Sequence, residues 1–441
     1  MTTEENRAIY NANIARDYPH NLKVFVLFDL IWGMGIPFAG NSLIPAFMVV
    51  LGSSKTLIGL FSVLPMLLGV FQIVTSHYFR TRPKKKWLSL TYSLTLLPWV
   101  LYSVVFFCFP QFCTNSVKLA LFFAVQFVFW LGSGGNEGVR FSMLTQCTPL
   151  NNRGSLFGNR TAVQVAVSLL LWPVAVWVMH QWPEPRNFLG AFSIASFFFM
   201  ISGPAYLLTR EHQNPDIIEN TVTSGLKGLL SSIRLLLKEL LTNRHYRVFL
   251  LNSVILNSAV SICCFIVVFA KEQMHLSGSS IIRFTIIQMV GGALSSTILG
   301  KLADRLGYKI IGIMQSIPLS AGFMLAAFIS SRDSVNNIAV YAAFFLCSST
   351  IIVSRMVFMN LSVELMPRYN AGMLISLSNA LISPLILIVV PLGGLVVDIT
   401  GSYTTIFLAG AGMAMISGLV FAFYIHEPRK AKMIDFASAK L

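Results

Sequence analysis

Charged side chains are scarce in this sequence. They make up 11% of its 441 residues, whereas soluble globular proteins carry about 25%. Hydrophobic residues make up 55% of the chain. A water-soluble core cannot hide so much apolar surface, so the composition excludes an ordinary soluble protein and favours lipid as the solvent.

The chain also lacks the clusters that mark enzymes and nucleic-acid-binding proteins. Its seven histidines lie at predicted helix ends or in loops, and its six cysteines show no metal-ligand spacing. No basic patch with interleaved aromatic residues accompanies the net charge of +15. We therefore expect no enzyme activity, no metal, no cofactor and no nucleic-acid partner. Cys108 and Cys113 flank a short loop, and this spacing fits either a disulfide or two free thiols.

Runs of 20 or more mainly apolar residues recur along the chain, and each can cross a bilayer. The first twenty residues are polar and mixed in charge, so we expect no cleavable signal peptide. The fold class predicted is an all-α polytopic membrane protein, with twelve transmembrane helices in two pseudo-symmetric six-helix bundles. The predicted helices span 22–50, 55–79, 87–109, 117–147, 155–180, 188–209, 247–270, 280–302, 309–330, 337–364, 372–397 and 403–425.

A polar stretch separates the two sets of helices. It predicts three parts: an N-terminal bundle at 1–209, a cytoplasmic linker at 210–246 and a C-terminal bundle at 247–441. Within the linker, residues 226–241 place apolar side chains at helical spacing with basic residues between them. This pattern fits an amphipathic helix on the membrane surface, or a tether with some helix.

The distribution of lysine and arginine predicts the orientation. If the N-terminus is inside, 24 of the 32 basic residues fall on the inner side and six on the outer side. Cytoplasmic loops carry such an excess, so we expect both termini in the cytoplasm. The outer loops are short and contain no asparagine sequon, which favours a bacterial inner membrane.

The two halves share short colinear matches, as a duplicated six-helix unit would. Internal repeats of this kind are typical of secondary transporters, which bind substrate near the membrane midplane between the repeats. The matching segments are 23–27 with 247–251 at an offset of 224, 52–54 with 278–280 at 226, and Pro149 with Pro367 at 218.

The segment Gly300-Lys-Leu-Ala-Asp304-Arg305-Leu-Gly307-Tyr-Lys309 lies between predicted helices 8 and 9. It resembles the G-x-x-x-D-R-x-G-R-K loop signature of the major facilitator superfamily. The resemblance implies that this loop latches the cytoplasmic side in the outward-facing state. Gly300 and Gly307 would allow close approach and a tight turn, and Asp304 would meet a neighbouring helix N-terminus, where negative charge is stabilised.

Other segments match the family less evenly. The run 152–160, which contains Arg153, is similar to the R-G-x-x-F-G-x-R run of many bacterial facilitators, and we add Arg153 to the latch. The first-half loop 76–86 keeps the basic residues but lacks the aspartate. Helix 4 has Arg140 after its glycines rather than before them, and helix 5 has no glycines over 165–178. Both departures weigh against a multidrug antiporter.

Ionisable residues within predicted spans are functional candidates, because placing them in lipid costs several kcal/mol. Glu137 and Arg140 are three residues apart on helix 4, so they share one face. The resemblance implies that helices 1, 4, 7 and 10 line the cavity, so we expect Glu137 and Arg355 to face one cavity. The candidates for substrate or proton binding are Glu137, Arg140, Arg355, Asp29, Asn257 and Trp32.

These features predict a secondary active transporter that moves a small polar or anionic organic solute by alternating access, coupled to protons. A multidrug or metabolite efflux antiporter and a non-transporting sensor of the same fold stay open as alternatives. We expect the bilayer and a small-molecule substrate as the partners of a monomeric chain.

Overall fold

The computed structural model describes residues 3–79, 82–149, 153–212, 226–332, 336–366, 371–425 and 427. Within these residues, twelve helical segments are long and apolar enough to cross a membrane. Regular structure in the described ranges is entirely helical. The predicted fold class is confirmed.

The helices are labelled in chain order, and several resume after a short break. They are α1 (Thr3–Gly35, resuming at Leu43–Val50), α2 (Lys55–Leu68, resuming at Gln72–Tyr78), α3 (Lys85–Cys108), α4 (Asn115–Gln146), α5 (Arg153–Gln181), α6 (Arg186–Ser202), α7 (Arg244–Ile262, resuming at Cys264–Glu272), α8 (Gly278–Leu306), α9 (Tyr308–Ser330), α10 (Asn337–Ser348, resuming at Thr350–Leu365), α11 (Ala371–Thr400) and α12 (Tyr403–Phe423). Single 3-10 turns fill the breaks at Ile36–Phe38 in α1 and Gly69–Phe71 in α2, and extend α6 through Gly203–Leu208.

Helix α1 begins at Thr3, nineteen residues before the predicted start at residue 22. Its polar first half continues as helix because two buried polar side chains find partners just after α6. The Asp17 carboxylate accepts hydrogen bonds from Arg210 at 3.1 Å and from His212 at 2.8 Å. Asn21 donates to the Arg210 carbonyl at 3.0 Å and accepts from its amide at 2.9 Å. Polarity alone therefore misplaced the helix start.

The chain divides into two compact units. The first comprises Met1–Leu51 and Leu68–Arg234, and the second comprises Gly52–Leu67 and Leu235–Leu441. Helix α2 is thus shared, because its first part packs with the second unit although it belongs to the first half of the sequence. This division differs from a cut at the linker by that one segment.

Equivalent helix pairs pack together in the two halves. In the first half α3 packs against α6, and α1 packs against α5 and α6. In the second half α9 packs against α12, and α7 packs against α11 and α12. The same packing plan in both halves agrees with the colinear sequence matches.

The segment Leu226–Thr242 forms a helix, which we call the linker helix. Leu236 and Leu240 are buried, whereas Leu230 and Leu235 are exposed. Residues 213–225 of the predicted linker lie outside the described residues.

Candidate functional site

A buried ion pair joins α1 to α5 in the first unit. The Arg160 guanidinium donates to both carboxylate oxygens of Asp29, through Nε to one and through Nη2 at 3.1 Å to the other. Asp29 is 4% exposed and Arg160 is 7% exposed. Asp29 is therefore a buried ion-pair partner, and Arg160 serves inside the bundle rather than as an inner-surface charge.

A second ion pair lies on α4. Arg140 Nη2 donates to Glu137 Oε2 at 2.7 Å, as the three-residue spacing predicted. These side chains are more open than the first pair, with Glu137 33% and Arg140 25% exposed. Arg140 also interacts electrostatically with Asp29, so the two pairs form one charged cluster.

Aromatic side chains surround this cluster. Tyr92 and Tyr206 lie within electrostatic range of both Arg140 and Arg160. The Tyr206 hydroxyl is buried and has no hydrogen-bond partner among the described residues. The predicted Trp32 is half-buried and stacks on Phe199, with ring centroids 4.3 Å apart. It also meets Tyr92 edge to face at 5.7 Å. The structure thus brings Asp29, Trp32, Glu137 and Arg140 together in one bundle.

Two predicted residues lie in the second unit. The Asn257 amide donates to the Ser253 carbonyl of its own helix at 2.7 Å, so this donor is already used within α7. Arg355 has an exposed side chain on α10. The expectation that Glu137 and Arg355 face one cavity stays a prediction.

The loop with the family signature turns sharply between α8 and α9. Gly307 has a φ of 85°, and a Cβ there would collide with the Glu427 carboxylate, so glycine is required. At Gly300 a Cβ would meet only Met356 Sδ at 3.9 Å, so the expected close approach is absent at that position. Arg305 is exposed in the last turn of α8.

An acid that the sequence analysis did not predict lies at the N-terminus of α9. Glu427, which follows α12, accepts a hydrogen bond from the Lys309 amide at 3.0 Å. A carboxylate at this position satisfies a free amide and complements the helix dipole. The side chains of Asp304 and Arg153 lie outside the described residues, so their predicted latch roles stay predictions.

The first half has an equivalent cap. Glu211, which follows α6, accepts hydrogen bonds from the Lys84 amide at 2.9 Å and from the Lys85 amide at the start of α3. The Lys84 amine is buried and donates to Gln146 Oε1 at 2.8 Å. Burial lowers the pKa of this amine, and Glu211 acts in the opposite direction. Burial also raises the pKa of the nearby Cys147 thiol to about 12.

A polar cluster in the second unit ties the start of α2 to the ends of α7 and α11. The Asp398 carboxylate accepts from the Lys55 amide at 2.8 Å and from the Thr56 amide at 2.9 Å. It also accepts from the Thr56 hydroxyl at 2.7 Å. Lys55 Nζ lies 2.7 Å from Glu272, which also accepts a hydrogen bond from the Tyr403 hydroxyl. We call these five residues the α2 clamp.

The α2 clamp was not predicted, because its members come from four separate helices. Gly394 permits the contact, since a Cβ there would collide with the Lys55 carbonyl. The sequence placed Lys55 on the outer side and near a predicted helix start. Among the cysteines, Cys108 and Cys113 are free thiols.

The sequence matches the family model of the Major Facilitator Superfamily over residues 24–387. The chain belongs to the Major Facilitator Superfamily. Solved transporter structures of this superfamily share its fold. A D-xylose-proton symporter is 14% identical with a TM-score of 0.65, and the match covers 92% of this chain and 98% of that one. The nucleoside transporter NupG is 14% identical with a TM-score of 0.62, and the match covers 91% of this chain and 98% of NupG.

A third similar structure is the fucose:proton symporter FucP of E. coli, at 14% identity and a TM-score of 0.57. That match covers 92% of this chain and 99% of FucP. No curated protein sequence matches the chain. The superfamily and these structures are transporters rather than enzymes, so the chain is a multi-pass membrane protein with the transporter fold of the Major Facilitator Superfamily.

Proposed function

We propose that this protein is a secondary active transporter that moves a small polar or anionic organic solute by alternating access, coupled to protons. The charged cluster of Asp29, Arg160, Glu137 and Arg140 carries the proposal. Four ionisable side chains within one six-helix bundle are costly in a membrane and are functional by default.

The cluster lies well inside the helices that hold it. Glu137 is nine residues from the end of α4 at Gln146, which is about 14 Å at a rise of 1.5 Å per residue. Arg160 is seven residues from the start of α5, which is about 10 Å. At such depths a charge needs either a partner or water, and here each charge has a partner of opposite sign.

The two pairs suit different tasks. Both Asp29 oxygens are occupied by Arg160, and both side chains are buried, so this pair is fixed. Glu137 and Arg140 share a single hydrogen bond and are partly exposed. Protonation of Glu137 would release Arg140 to bind an anionic group of the solute, because a guanidinium binds carboxylates and phosphates through two donors. Arg355 remains a further candidate for that group.

Alternating access requires contacts that form in one state and break in the other. The α2 clamp fits this need, because α2 belongs to the first half by sequence but is held by helices of the second half. Coupling to protons is supported by analogy, since two similar structures are named as proton symporters.

Purified protein in liposomes that contain a pH-sensitive dye would test the proposal. Monosaccharides, nucleosides and short carboxylic acids would first be screened for an increase in thermal stability. We expect a binding solute to enter the liposomes and to acidify the lumen. Glu137→Gln should lose proton movement and gradient-driven accumulation yet retain counterflow exchange, whereas Glu239→Gln on the linker helix should behave as wild type.

Two outcomes would contradict the proposal. Proton-coupled uptake by Glu137→Gln would remove Glu137 from the coupling step. A solute that stabilises the protein but never enters the liposomes would instead support the non-transporting sensor.

A further inference from the structure

An open groove of about 390 Å³ lies where α2 ends and α3 begins. Its lining residues include Tyr78 from the end of α2, Arg82 from the loop, and Lys86, Trp87 and Leu90 from the first turns of α3. The groove belongs to the inner face in the predicted orientation. None of its lining residues belongs to the ion pairs of the charged cluster.

The polar part of the groove is cationic. The Arg82 guanidinium carbon lies 3.9 Å from the centroid of the Tyr78 ring, and the guanidinium also donates to the Tyr78 hydroxyl. These contacts hold Arg82 in place and leave other donors available. Lys86 is exposed and has no ion-pair or hydrogen-bond partner in the described part of the chain.

Among the described residues, Glu211 forms no ion pair with either of these two cations. Glu211 accepts hydrogen bonds from the amides of Lys84 and Lys85, so its carboxylate is engaged at the α3 N-terminus. Lys84 is buried and directed to Gln146. Arg82 and Lys86 are thus the cations exposed at the groove.

The apolar part of the groove continues along α3. Four leucines follow Lys86 at helical spacing, and all of them are exposed: Leu90, Leu94, Leu97 and Leu101 at 55%, 55%, 41% and 55%. They form one stripe, which we call the leucine stripe. From Leu90 to Leu101 it extends for about 16 Å at 1.5 Å per residue, close to half of the roughly 30 Å hydrocarbon thickness of a bilayer.

We propose that this groove is a binding site for one anionic phospholipid. Its headgroup phosphate binds Arg82 and Lys86, and an acyl chain lies along the leucine stripe. A guanidinium binds phosphate oxygens through two donors, and the lysine ammonium adds a second positive charge. Aromatic side chains such as Tyr78 and Trp87 are favoured at headgroup level. A soluble phosphate compound would use the cations but not the leucine stripe.

Native mass spectrometry of the purified protein would measure the affinity for dioleoyl phosphatidylglycerol and dioleoyl phosphatidylcholine. We expect bound phosphatidylglycerol to be retained more strongly than phosphatidylcholine. The double variant Arg82→Gln, Lys86→Gln should bind phosphatidylglycerol roughly 30-fold more weakly, which corresponds to about 1 kcal/mol for each basic residue. Thermal unfolding without lipid would verify that the variant is folded.

The matched control is the double variant Arg283→Gln, Arg332→Gln, which removes two exposed cations from the predicted outer side. Arg332 also lies over an aromatic ring, 4.8 Å from the centroid of Phe328. Equal loss of phosphatidylglycerol in this control would overturn the proposal, because the affinity would then follow total charge. Equal affinity for the two lipids would overturn it as well.

Two further measurements separate a lipid from a free anion. Leu94→Ser should weaken phosphatidylglycerol binding if the acyl chain lies on the leucine stripe. Glycerol phosphate, which has the headgroup chemistry without the chains, should fail to displace the lipid at equal concentration. Displacement by glycerol phosphate together with unchanged binding to Leu94→Ser would show a site for a soluble anion and would overturn the proposal.

Discussion

Arg160 and Asp29 are 131 residues apart in sequence and form a buried ion pair with two hydrogen bonds. Removal of one partner leaves a buried charge without compensation, which costs about 3–5 kcal/mol. We expect Asp29→Asn to lower the thermal unfolding midpoint strongly, and Asp29→Asn with Arg160→Gln to recover much of it. Thermal unfolding of the purified variants would measure this. A single variant as stable as wild type would contradict a structural role for the pair.

The α2 clamp should control access to the native cysteine Cys264, which interacts with Ser62 of α2. Asp398→Asn removes the charge that accepts three hydrogen bonds. A change of about 1–3 kcal/mol would alter the ratio of open to closed states roughly 5- to 150-fold. We expect faster labelling of Cys264 by a membrane-impermeant maleimide, and Thr400→Val, two residues away, should not share this effect. Unchanged labelling would show that the clamp is not a gate.

The buried Lys84 amine predicts a pH dependence of stability. Its pKa is lower in the folded protein than the usual 10.5, so in the window between these two values the unfolded chain binds more protons. The free energy of unfolding should therefore rise with pH through that window. Lys84→Met should lack this contribution, whereas Lys86→Met, at an exposed position, should retain it. The measurement is the thermal unfolding midpoint as a function of pH. Wild type and Lys84→Met with the same pH dependence of this midpoint would contradict the prediction.

The predicted orientation places Cys108 outside and Lys86 inside. Cys108 is an exposed free thiol, so an impermeant maleimide should label it in intact cells. In a Cys108→Ser, Cys113→Ser background, which lacks both free thiols of that outer loop, Lys86→Cys should be labelled only after the membrane is permeabilised. The thiol of Cys147 contributes little background, because its pKa of about 12 keeps it protonated near neutral pH. Labelling of Lys86→Cys in intact cells would reverse the orientation.

Hydrophobic length predicted the twelve spans, because lipid imposes a similar apolar run on every crossing. The same signal misplaced the start of α1, since helix there depends on Asp17 and Asn21 finding partners beyond α6. The local sequence around a polar residue does not show whether a hydrogen-bond partner lies far along the chain. The i,i+3 spacing of Glu137 and Arg140 sufficed for their pairing, because both residues lie on one helix.

The spacing of residues along the sequence could not predict contacts between different helices. Arg160 lies near the start of α5 among residues assigned to the inner surface, and only packing of α1 against α5 reveals it as the partner of Asp29. The α2 clamp was missed for the same reason. Its acids lie at the ends of α7 and α11, more than 200 residues after Lys55.

The paired caps at Glu211 and Glu427 bear on how such a chain could arise. Each acid follows the sixth helix of its own half and caps the third helix of that half. An ancestral protein of six helices would have contained this contact complete, with donor and acceptor on one polypeptide. Duplication of its gene would then have copied the complete contact, so the second half needed no new one. During synthesis, each half can also fix its third helix as soon as its own last residues leave the ribosome.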